Sequence, residues 1–451
     1  MRVLIQLRPS PDVIAAVAAP DVATTTADVT GGLPGVALDH SYVPVALPRP
    51  RPAAGGDPLS MHQPLDFSLA PEDASVLVRG EISDDEGAAR AALLPAQSDV
   101  VAVYADPVIE TSLTCGGSPP VGTWEDVARL LAVPALAAEG YDGAGVPLAI
   151  CDTGINAAHV GQRLGRSCTV DGERSWNPGG VSGEPGRFAV DHGTMCAFDA
   201  LIAAPAATLI DIPVLLSRRQ GGSAMDGLLS DAVAAFAHLR TVLDAQPAGS
   251  RSLVVSNSWG SFSPLWDLAP GQPGNYSDNA AHPFNIIVGS LEQAGADILF
   301  AAGNCGSECK DRRCAFPARP IVGANSHPQV LSVAGVDTNG ERVGYSSQGP
   351  GRLSDRKPDI AAYTHFAGSR AFGDTEPDSG TSAACPVAAG LVAAIRTRWP
   401  ASRLSPSQLR TLLHRTADDR STVGFDYDYG YGIADPAALI EALRKVSGSR
   451  E

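Results

Sequence analysis

The stretch DSGTSAACPVAAGLVAAI, residues 378–395, decides between two folds. It offers two reactive groups, the carboxyl of Asp378 and the hydroxyl of Ser382. A catalytic loop built on Asp378 should follow an apolar strand, but the preceding residues, GDTEP, do not form one. The small apolar residues after Ser382 predict a helix with Pro386 in its first turn, where a missing N–H is tolerated. The stretch therefore favours a fold that contains helices, with Ser382 as the reactive group.

A pattern of alternating apolar strands and helices extends from residue 123 to about 447. Apolar strands such as VPLAICD, SLVVSNSWG and DILFAAGN alternate with Ala-rich and Leu-rich helices. Continuous apolar strands between helices are typical of a parallel sheet that is covered on both faces. We therefore predict an α/β fold with a doubly wound, mostly parallel sheet, whose carboxyl edge would hold the functional side chains.

The first 115 residues have a different organisation. Their predicted order is β-α-β-α-β, from the segments VLIQL, PDVIAAVAA, SVLVRGEI, DDEGAARAALL and DVVAVYADPVIE, with a Pro/Gly/Arg-rich insert, VPVALPRPRPAAGGDP, after the first helix. This order predicts a small α+β domain of the split βαβ type. The expected division is a domain over 1–115, a linker over 116–122 and the large domain over 123–447.

Composition narrows the possible partners. The chain has 451 residues and a net charge of −16, so it lacks the basic surface that nucleic-acid binding requires. No apolar run is long enough to span a bilayer, which predicts no membrane partner. Pro9, Pro11 and Asp12 interrupt the apolar start before a secretion signal could form. A cytoplasmic location is therefore expected, with secretion as the alternative.

Four polar residues stand where strands end or helices begin. They are Asp152 in LAICDTGIN, His192 in VDHGTMC, Asn304 in LFAAGNCG and Ser382. Taken singly, each could be a cap, a turn residue or a structural side chain. Together they supply a carboxylate, an imidazole, an amide donor and a hydroxyl, the groups that nucleophilic catalysis on a carbonyl needs.

At this point the chain resembles the subtilisin-like serine protease family. The matching motifs follow the family order over about 123–440: CDTGIN, DHGTMCA, SNSWGS, LFAAGN, GYSSQGPG, RKPDIAAY, SGTSAACPVAAG and YGYGIADPAALI. The resemblance implies hydrolysis of a peptide or protein substrate. Ser382 would be the nucleophile, His192 the general base and Asp152 its orienting partner. Asn304 would bind the oxyanion together with the Ser382 backbone N–H.

The resemblance also implies how substrate is bound and how activity is restrained. Ser258, Trp259 and Gly260 would pair with the substrate backbone as an extra strand. DVVAVYADPVIE resembles the end of an inhibitory propeptide that occupies the groove until the chain cuts itself between Val108 and Thr123. The full chain would then be a zymogen, with its own propeptide as a partner. No cofactor is expected for catalysis, and calcium, which often stabilises relatives, has no assignable ligands.

Other functions use overlapping motifs. A dedicated maturation protease, or a macrocyclase or transpeptidase, would share the triad, and only product mass would distinguish transfer from hydrolysis. A pepsin-like aspartic protease would pair Asp152 of DTG with Asp378 of DSGTS, but that class is all-β. A non-catalytic binding protein is disfavoured because all four catalytic-type residues are intact.

The cysteines raise two further expectations. Cys305, Cys309 and Cys314 follow Asn304 in CGSECKDRRC, where the usual family loop lacks cysteines. Three thiols without a nearby His are a poor zinc set, so a disulfide that tightens the loop is favoured, with a partner that spacing does not reveal. Cys196, one helical turn after the histidine, is similar to the buried thiol of some relatives and implies sensitivity to mercurials.

Overall fold

A computed structural model of the chain describes residues 1–19, 21–52, 65–83, 99–114, 116–217, 225–316 and 318–448. The helix predicted in DDEGAARAALL and Cys115, the last residue of the predicted first domain, lie outside these residues. Of the helices in the described ranges, none is both long and apolar enough to cross a membrane.

The N-terminal part is an antiparallel sheet with short helices. Its elements are β1 (Arg2–Leu7), α1 (Pro11–Ala18), α2 (Thr26–Val29), β2 (Val36–Leu38), β3 (Val45–Leu47), β4 (Arg49–Pro52), β5 (Leu65–Ser68), β6 (Ser75–Ile82), β7 (Val100–Ala105) and β8 (Val108–Glu110). The sheet has the order β2-β6-β1-β7, and β3 also pairs with β6. The described part of the insert rich in proline and arginine contains β3 and β4. Proline is tolerated in β4 because this strand pairs only with β5 and leaves its other edge without a strand among the described residues.

The large domain alternates strands and helices, as predicted. Its elements are α3 (Trp124–Leu130), α4 (Val133–Ala138), β9 (Pro147–Cys151), α5 (Ala157–Leu164), α6 (His192–Ala203), β10 (Thr208–Ile212), β11 (Asp226–Leu228), α7 (Leu229–Asp244), β12 (Leu253–Asn257), α8 (Pro283–Gln293), β13 (Ala296–Ala301), β14 (Leu331–Val336), β15 (Ile360–Tyr363), α9 (Thr381–Arg396), α10 (Pro406–Thr416) and α11 (Pro436–Gly448). Six of the strands form a parallel sheet in the order β10-β9-β12-β13-β14-β15.

Both faces of this sheet are buried. Side chains of β13 alternate between two cores, with Leu299 on the side of α6 and α9 and Phe300 on the side of α7 and α8. A strand that buries both of its faces must be apolar throughout, which is why these strands appear as unbroken apolar runs. The α/β doubly wound prediction is therefore confirmed. Helix α7 starts only at Leu229, because Asp226–Leu228 pair with β8 as strand β11.

The N-terminal sheet packs on α7. Leu77 of β6 shares a core with Phe236 of α7, and Arg79 forms an ion pair with Asp231 at 2.9 Å. Asp106, in the segment between β7 and β8, accepts hydrogen bonds from the Ser230 amide at 2.7 Å and hydroxyl at 2.8 Å. Burial raises the pKa of Asp106 to about 6 against these bonds. These contacts fix the path of β8, which leads directly into the carboxyl edge of the parallel sheet.

Candidate active site

Asp152 and His192 meet at the carboxyl edge of the sheet. Asp152 follows β9 directly and is 1% exposed, and His192 is the first residue of α6. Their side chains join through His192 Nδ1, which lies 2.8 Å from Asp152 Oδ1 and 3.0 Å from Oδ2. Gly193 permits this approach, because a Cβ there would lie 2.5 Å from the carbonyl oxygen of Gly154. The bond fixes the tautomer with the proton on Nδ1 and leaves Nε2 able to accept a proton.

The charge around His192 favours the imidazolium. Burial acts to lower the pKa of His192, but the Asp152 carboxylate, through its charge and its hydrogen bond, more than offsets this effect. The carboxylates of Asp191 and Asp378 add to the same direction, and the net result is a pKa raised above the ordinary 6.5. A base with this shift is neutral and able to accept a proton only on the alkaline side of that pKa.

Ser382 is the second residue of α9 and is 3% exposed. Pro386 is the sixth helical residue, so it lies beyond the predicted first turn, and its missing N–H leaves the Ser382 carbonyl without the usual helical donor. That carbonyl accepts instead from Ser258 Oγ at 3.0 Å and from Cys196 Sγ at 3.5 Å. Proline therefore ties the start of α9 to the neighbouring elements of the site.

The Ser382 hydroxyl is not bonded to the imidazole in this structure. Within the part of the chain that is described, Ser382 Oγ donates to the Ser258 carbonyl at 3.5 Å, and no hydrogen bond joins it to His192. Cys196 Sγ lies 3.6 Å from Asp152 Oδ2 and 3.7 Å from His192 Nδ1, so this buried thiol contacts both residues. Burial and the Asp152 charge raise the pKa of Cys196 well above its usual range, so the thiol stays protonated.

Asn304 has its side-chain amide held in one orientation. Its Oδ1 accepts from the Thr381 backbone N–H at 2.9 Å and from Thr381 Oγ1 at 3.0 Å. The Nδ2 group therefore points the other way and donates to the carbonyl of Ser112 at 2.8 Å. The Asn304 backbone N–H donates to Ser112 Oγ at 2.9 Å. Sequence reasoning missed Ser112, whose contact with Asn304 spans 192 residues.

The segment that leads to Ser112 lies in the site as an added strand. β8 pairs with β11 on one side, and on the other side Glu110 exchanges two 3.0 Å backbone hydrogen bonds with Gly260. Of the three residues predicted to line the substrate strand, Gly260 makes this pairing. Ser258 contacts Ser382, and the Trp259 side chain is 1% exposed and donates to the Cys151 carbonyl at 3.0 Å.

The cysteine-rich loop after Asn304 contains a disulfide between Cys305 and Cys314. Neither thiol is then available for zinc, which decides between the two expectations for this loop. Asp311 and Arg313 lie inside the loop and contact the segment around Ser112. Their loop was recognised from sequence as a departure from the family, but its contacts were not.

Asp378 is paired with a carboxyl other than the one considered from sequence. The Asp378 carboxyl accepts hydrogen bonds from the Ser369 N–H and Oγ, both at 2.5 Å. The carboxyl group beside it is that of Asp199 in α6. Asp152 is bonded to His192 instead. The paired aspartates of the pepsin-like alternative are therefore not formed.

Comparison with known proteins agrees with this geometry. Residues 143–432 match the profile of the subtilase family, which is more than half of the chain. The chain belongs to the subtilase family. By class it is therefore a subtilisin-like serine endopeptidase, a hydrolase that needs no cofactor for catalysis.

Individual relatives are similar over the same region. Subtilisin DY of Bacillus licheniformis is 28% identical over 306 residues, which are 67% of this chain and 94% of that protein. A calcium-dependent protease of Nostoc is 28% identical over 342 residues, 66% of this chain and 46% of that protein. The structure of fervidolysin from Fervidobacterium pennivorans, a keratinolytic enzyme related to subtilisin, superposes with a TM-score of 0.60 at 16% identity. It covers 98% of this chain, which spans 60% of the fervidolysin chain, and at this identity it shows the fold alone.

A calcium site does not follow from the described residues. The one group of three metal-binding side chains found among them is Asp152, His192 and Cys196. Calcium prefers a shell of oxygen ligands, which a thiol and an imidazole do not provide. These three residues instead form the buried, hydrogen-bonded cluster described above.

Proposed function

We propose that this chain hydrolyses peptide bonds through an acyl-enzyme formed on Ser382. His192 Nε2 takes the hydroxyl proton as Ser382 Oγ attacks the carbonyl carbon, and then gives it to the leaving amine. Asp152 keeps the Nδ1 proton in place and stabilises the imidazolium. The observation that carries the proposal is the buried Asp152–His192 bond at 2.8 Å beside the first turn of α9.

The hydroxyl must turn toward the imidazole for this step. Ser382 Oγ has only a 3.5 Å contact with the Ser258 carbonyl to give up. Such a contact is at the long limit of a hydrogen bond and is weak. Catalytic hydrogen bonds are often long before substrate binds and shorten in the reacting complex.

Asn304 is the proposed oxyanion donor. Its Nδ2 already donates to a peptide carbonyl, that of Ser112, and Thr381 prevents the amide from turning away. A fixed donor at this position stabilises charge as it develops on the carbonyl oxygen, with little reorganisation. The N-terminus of α9 adds a favourable partial positive charge.

We further propose that residues 1–112 are an inhibitory propeptide and that the bond cut first is Ser112–Leu113. Glu110 forms the paired backbone bonds with Gly260, and two residues later the Ser112 carbonyl accepts from the proposed oxyanion donor. This is the register in which a substrate presents its scissile carbonyl. It narrows the predicted cutting region of Val108 to Thr123 to one peptide bond.

Intact-mass analysis of the full-length protein tests both proposals. Wild type should yield one fragment that ends at Ser112 and another that begins at Leu113. Ser382→Ala should remain whole, and Ser379→Ala, three residues earlier in the same loop, should be cut like wild type. Identical full-length products from wild type and Ser382→Ala would contradict self-maturation. Labelling of Ser382 by a fluorophosphonate probe tests the nucleophile separately, and product mass distinguishes addition of water from transfer to an amine.

A further inference from the structure

The loop from Cys305 to Cys314 is held firmly against the active site. Its disulfide joins two cysteines that are 9 positions apart, directly after Asn304. The Asp311 N–H donates to the Asn304 carbonyl at 3.1 Å, and the Cys314 N–H donates to the Asp311 carbonyl at 3.0 Å. Asp311 and Arg313 are therefore fixed relative to the proposed oxyanion donor.

Arg313 binds the segment in the groove at two points. Its Nη1 lies 2.6 Å from Glu110 Oε2, and its Nη2 donates to the Thr111 carbonyl at 2.8 Å. Asp311 holds the guanidinium in place, with Arg313 Nη2 to Asp311 Oδ2 at 2.7 Å. The Glu110 side chain is only 14% exposed and that of Arg313 is 29% exposed, so water screens this ion pair incompletely.

Glu110 depends on this arginine. Its other carboxylate oxygen, Oε1, is buried and has no hydrogen-bond partner in the described structure. Burial raises the pKa of Glu110, the charges of Asp311 and Asp226 act in the same direction, and Arg313 opposes them. A glutamate in acidic surroundings needs a cation to remain charged, and Arg313 provides it.

The same loop also contacts the far side of the scissile bond. Asp311 Oδ2 accepts from the Leu113 N–H at 2.7 Å, and Leu113 would be the first residue of the leaving fragment. Arg313 contacts the second and third residues before the bond. The loop therefore contacts the substrate on both sides of the reacting carbonyl.

We propose that Arg313 is a specificity-determining residue that selects substrates with an acidic side chain at the third position before the cleaved bond. This inference rests on the proposed function and names its substrate class: peptides with Glu or Asp at that position. The propeptide segment Ile109-Glu110-Thr111-Ser112 would be the first such substrate. Asp311 holds the Arg313 guanidinium in place and also binds the amide after the cut directly.

Cleavage of matched peptides by the self-processed enzyme tests the proposal. Fluorogenic peptides of sequence VIETSLT, with Glu replaced by Gln or by Lys in two others, are compared by kcat/KM. A charge-assisted contact of this kind should favour Glu over Gln by about 10-fold, and Lys should be poorer still. Arg313→Gln should remove the preference and Arg313→Glu should reverse it, whereas Arg312→Gln, on the exposed neighbouring arginine, should keep the wild-type order.

The outcomes separate the two proposals. If wild type cuts all three peptides with equal kcat/KM, the specificity proposal is overturned while hydrolysis stands. If wild type cuts no peptide and does not label with a fluorophosphonate, the proposed function itself fails. The preference is a ratio within one variant, so loss of folded protein does not imitate it. In the full chain, Glu110→Lys should slow self-cleavage, and adding Arg313→Glu should restore it.

Discussion

Replacing Asp199 by Asn should make the protein more heat-resistant at alkaline pH than the unchanged chain. Asp199 lies two helical turns after His192 in α6 and is fully buried, and neither of its carboxylate oxygens receives a hydrogen bond from a conventional donor. Its neighbour is the Asp378 carboxyl, four residues before Ser382. Burial, followed by the charge of Asp378, raises the pKa of Asp199 well above its usual range. Burial raises the pKa of Asp378 to about 6, against the two bonds from Ser369.

Two adjacent buried carboxyl groups cannot both be ionised. Asp199 therefore stays protonated, and its O–H donates a hydrogen bond to the Asp378 carboxylate. A carboxyl whose folded-state pKa is raised contributes stability below its unfolded pKa and loses it as pH rises through the folded pKa. For every pH unit over which folded Asp199 retains a proton that the unfolded chain has lost, this contribution falls by about 1.4 kcal/mol. Asparagine has the same shape, donates an N–H and has no proton to lose. The Asp199→Asn variant should therefore gain about 1.4 kcal/mol relative to the unchanged chain for each pH unit over which folded Asp199 keeps its proton.

Thermal unfolding followed by tryptophan fluorescence measures this gain. Both chains carry Ser382→Ala to prevent self-digestion, and melting temperatures are recorded from pH 5 to pH 8. At roughly 2 °C per kcal/mol for a chain of this size, the variant should gain about 3 °C over the reference for each such pH unit. Asp374→Asn, whose carboxylate side chain is 80% exposed, serves as the matched control and should give no pH-dependent difference. A melting-temperature difference between the Asp199→Asn variant and its reference that stays constant from pH 5 to pH 8 would refute the claim that Asp199 stays protonated beside Asp378.

Three further changes test other parts of the site and the core. Asn304→Ala should lower kcat by about 10²–10³, a magnitude carried over from the equivalent donor in subtilisin itself, and peptide hydrolysis measures it. Asp191→Asn should move the acid limb of the kcat/KM profile to lower pH, because the Asp191 charge helps to raise the pKa of His192 and only neutral imidazole accepts the proton. Arg396→Ala should cost about 3–5 kcal/mol in urea unfolding, because it leaves the buried Asp297 carboxylate unpaired.

Each of these expectations has an outcome that would contradict it. Unchanged kcat in Asn304→Ala would mean that the amide only binds the Ser112 carbonyl and has no part in catalysis. An acid limb that stays in place in Asp191→Asn would show that this carboxylate has no influence on the base. For the buried ion pair, Arg396→Met combined with Asp297→Leu should be less damaging than Arg396→Ala alone, because no charge is left behind. Equal losses would point to packing instead of charge.

The positions of the functional residues at strand ends and helix starts could be predicted from the sequence, but the contacts between these residues could not. Asp152 follows an apolar strand, which could be recognised because both faces of a parallel sheet are buried and its strands are therefore apolar. His192 starts a helix of small apolar residues, which could also be recognised from the sequence. Their 2.8 Å bond depends on two elements that are 40 residues apart. The set of residue types and their order, matched to a family, predicted this bond where local pattern alone could not.

Contacts between residues far apart in the chain could not be predicted from the sequence. Ser112 lies in a stretch with no marked pattern, and its role depends on Asn304, 192 residues away. The Asp199–Asp378 pair was also hidden, because an Asp within an apolar helix looks the same in sequence whether it faces water or a second carboxyl. In both cases the sequence shows only a polar residue in a buried segment. The residue that it contacts is known only from the tertiary structure.

The loop from Cys305 to Cys314 shows why a departure from a family motif calls for a physical reading. Its cysteines suggested a staple, and the disulfide does close the loop, but the charged residues that it encloses determine what the loop contacts. Asp311 and Arg313 bind each other within the loop, with Arg313 Nη2 at 2.7 Å from Asp311 Oδ2. Only the fixed position beside Asn304 directs Arg313 toward Glu110 at 2.6 Å and Asp311 toward the Leu113 amide at 2.7 Å. The loop can therefore change substrate preference while the catalytic residues stay those of the family, because specificity depends on contacts that the triad does not make.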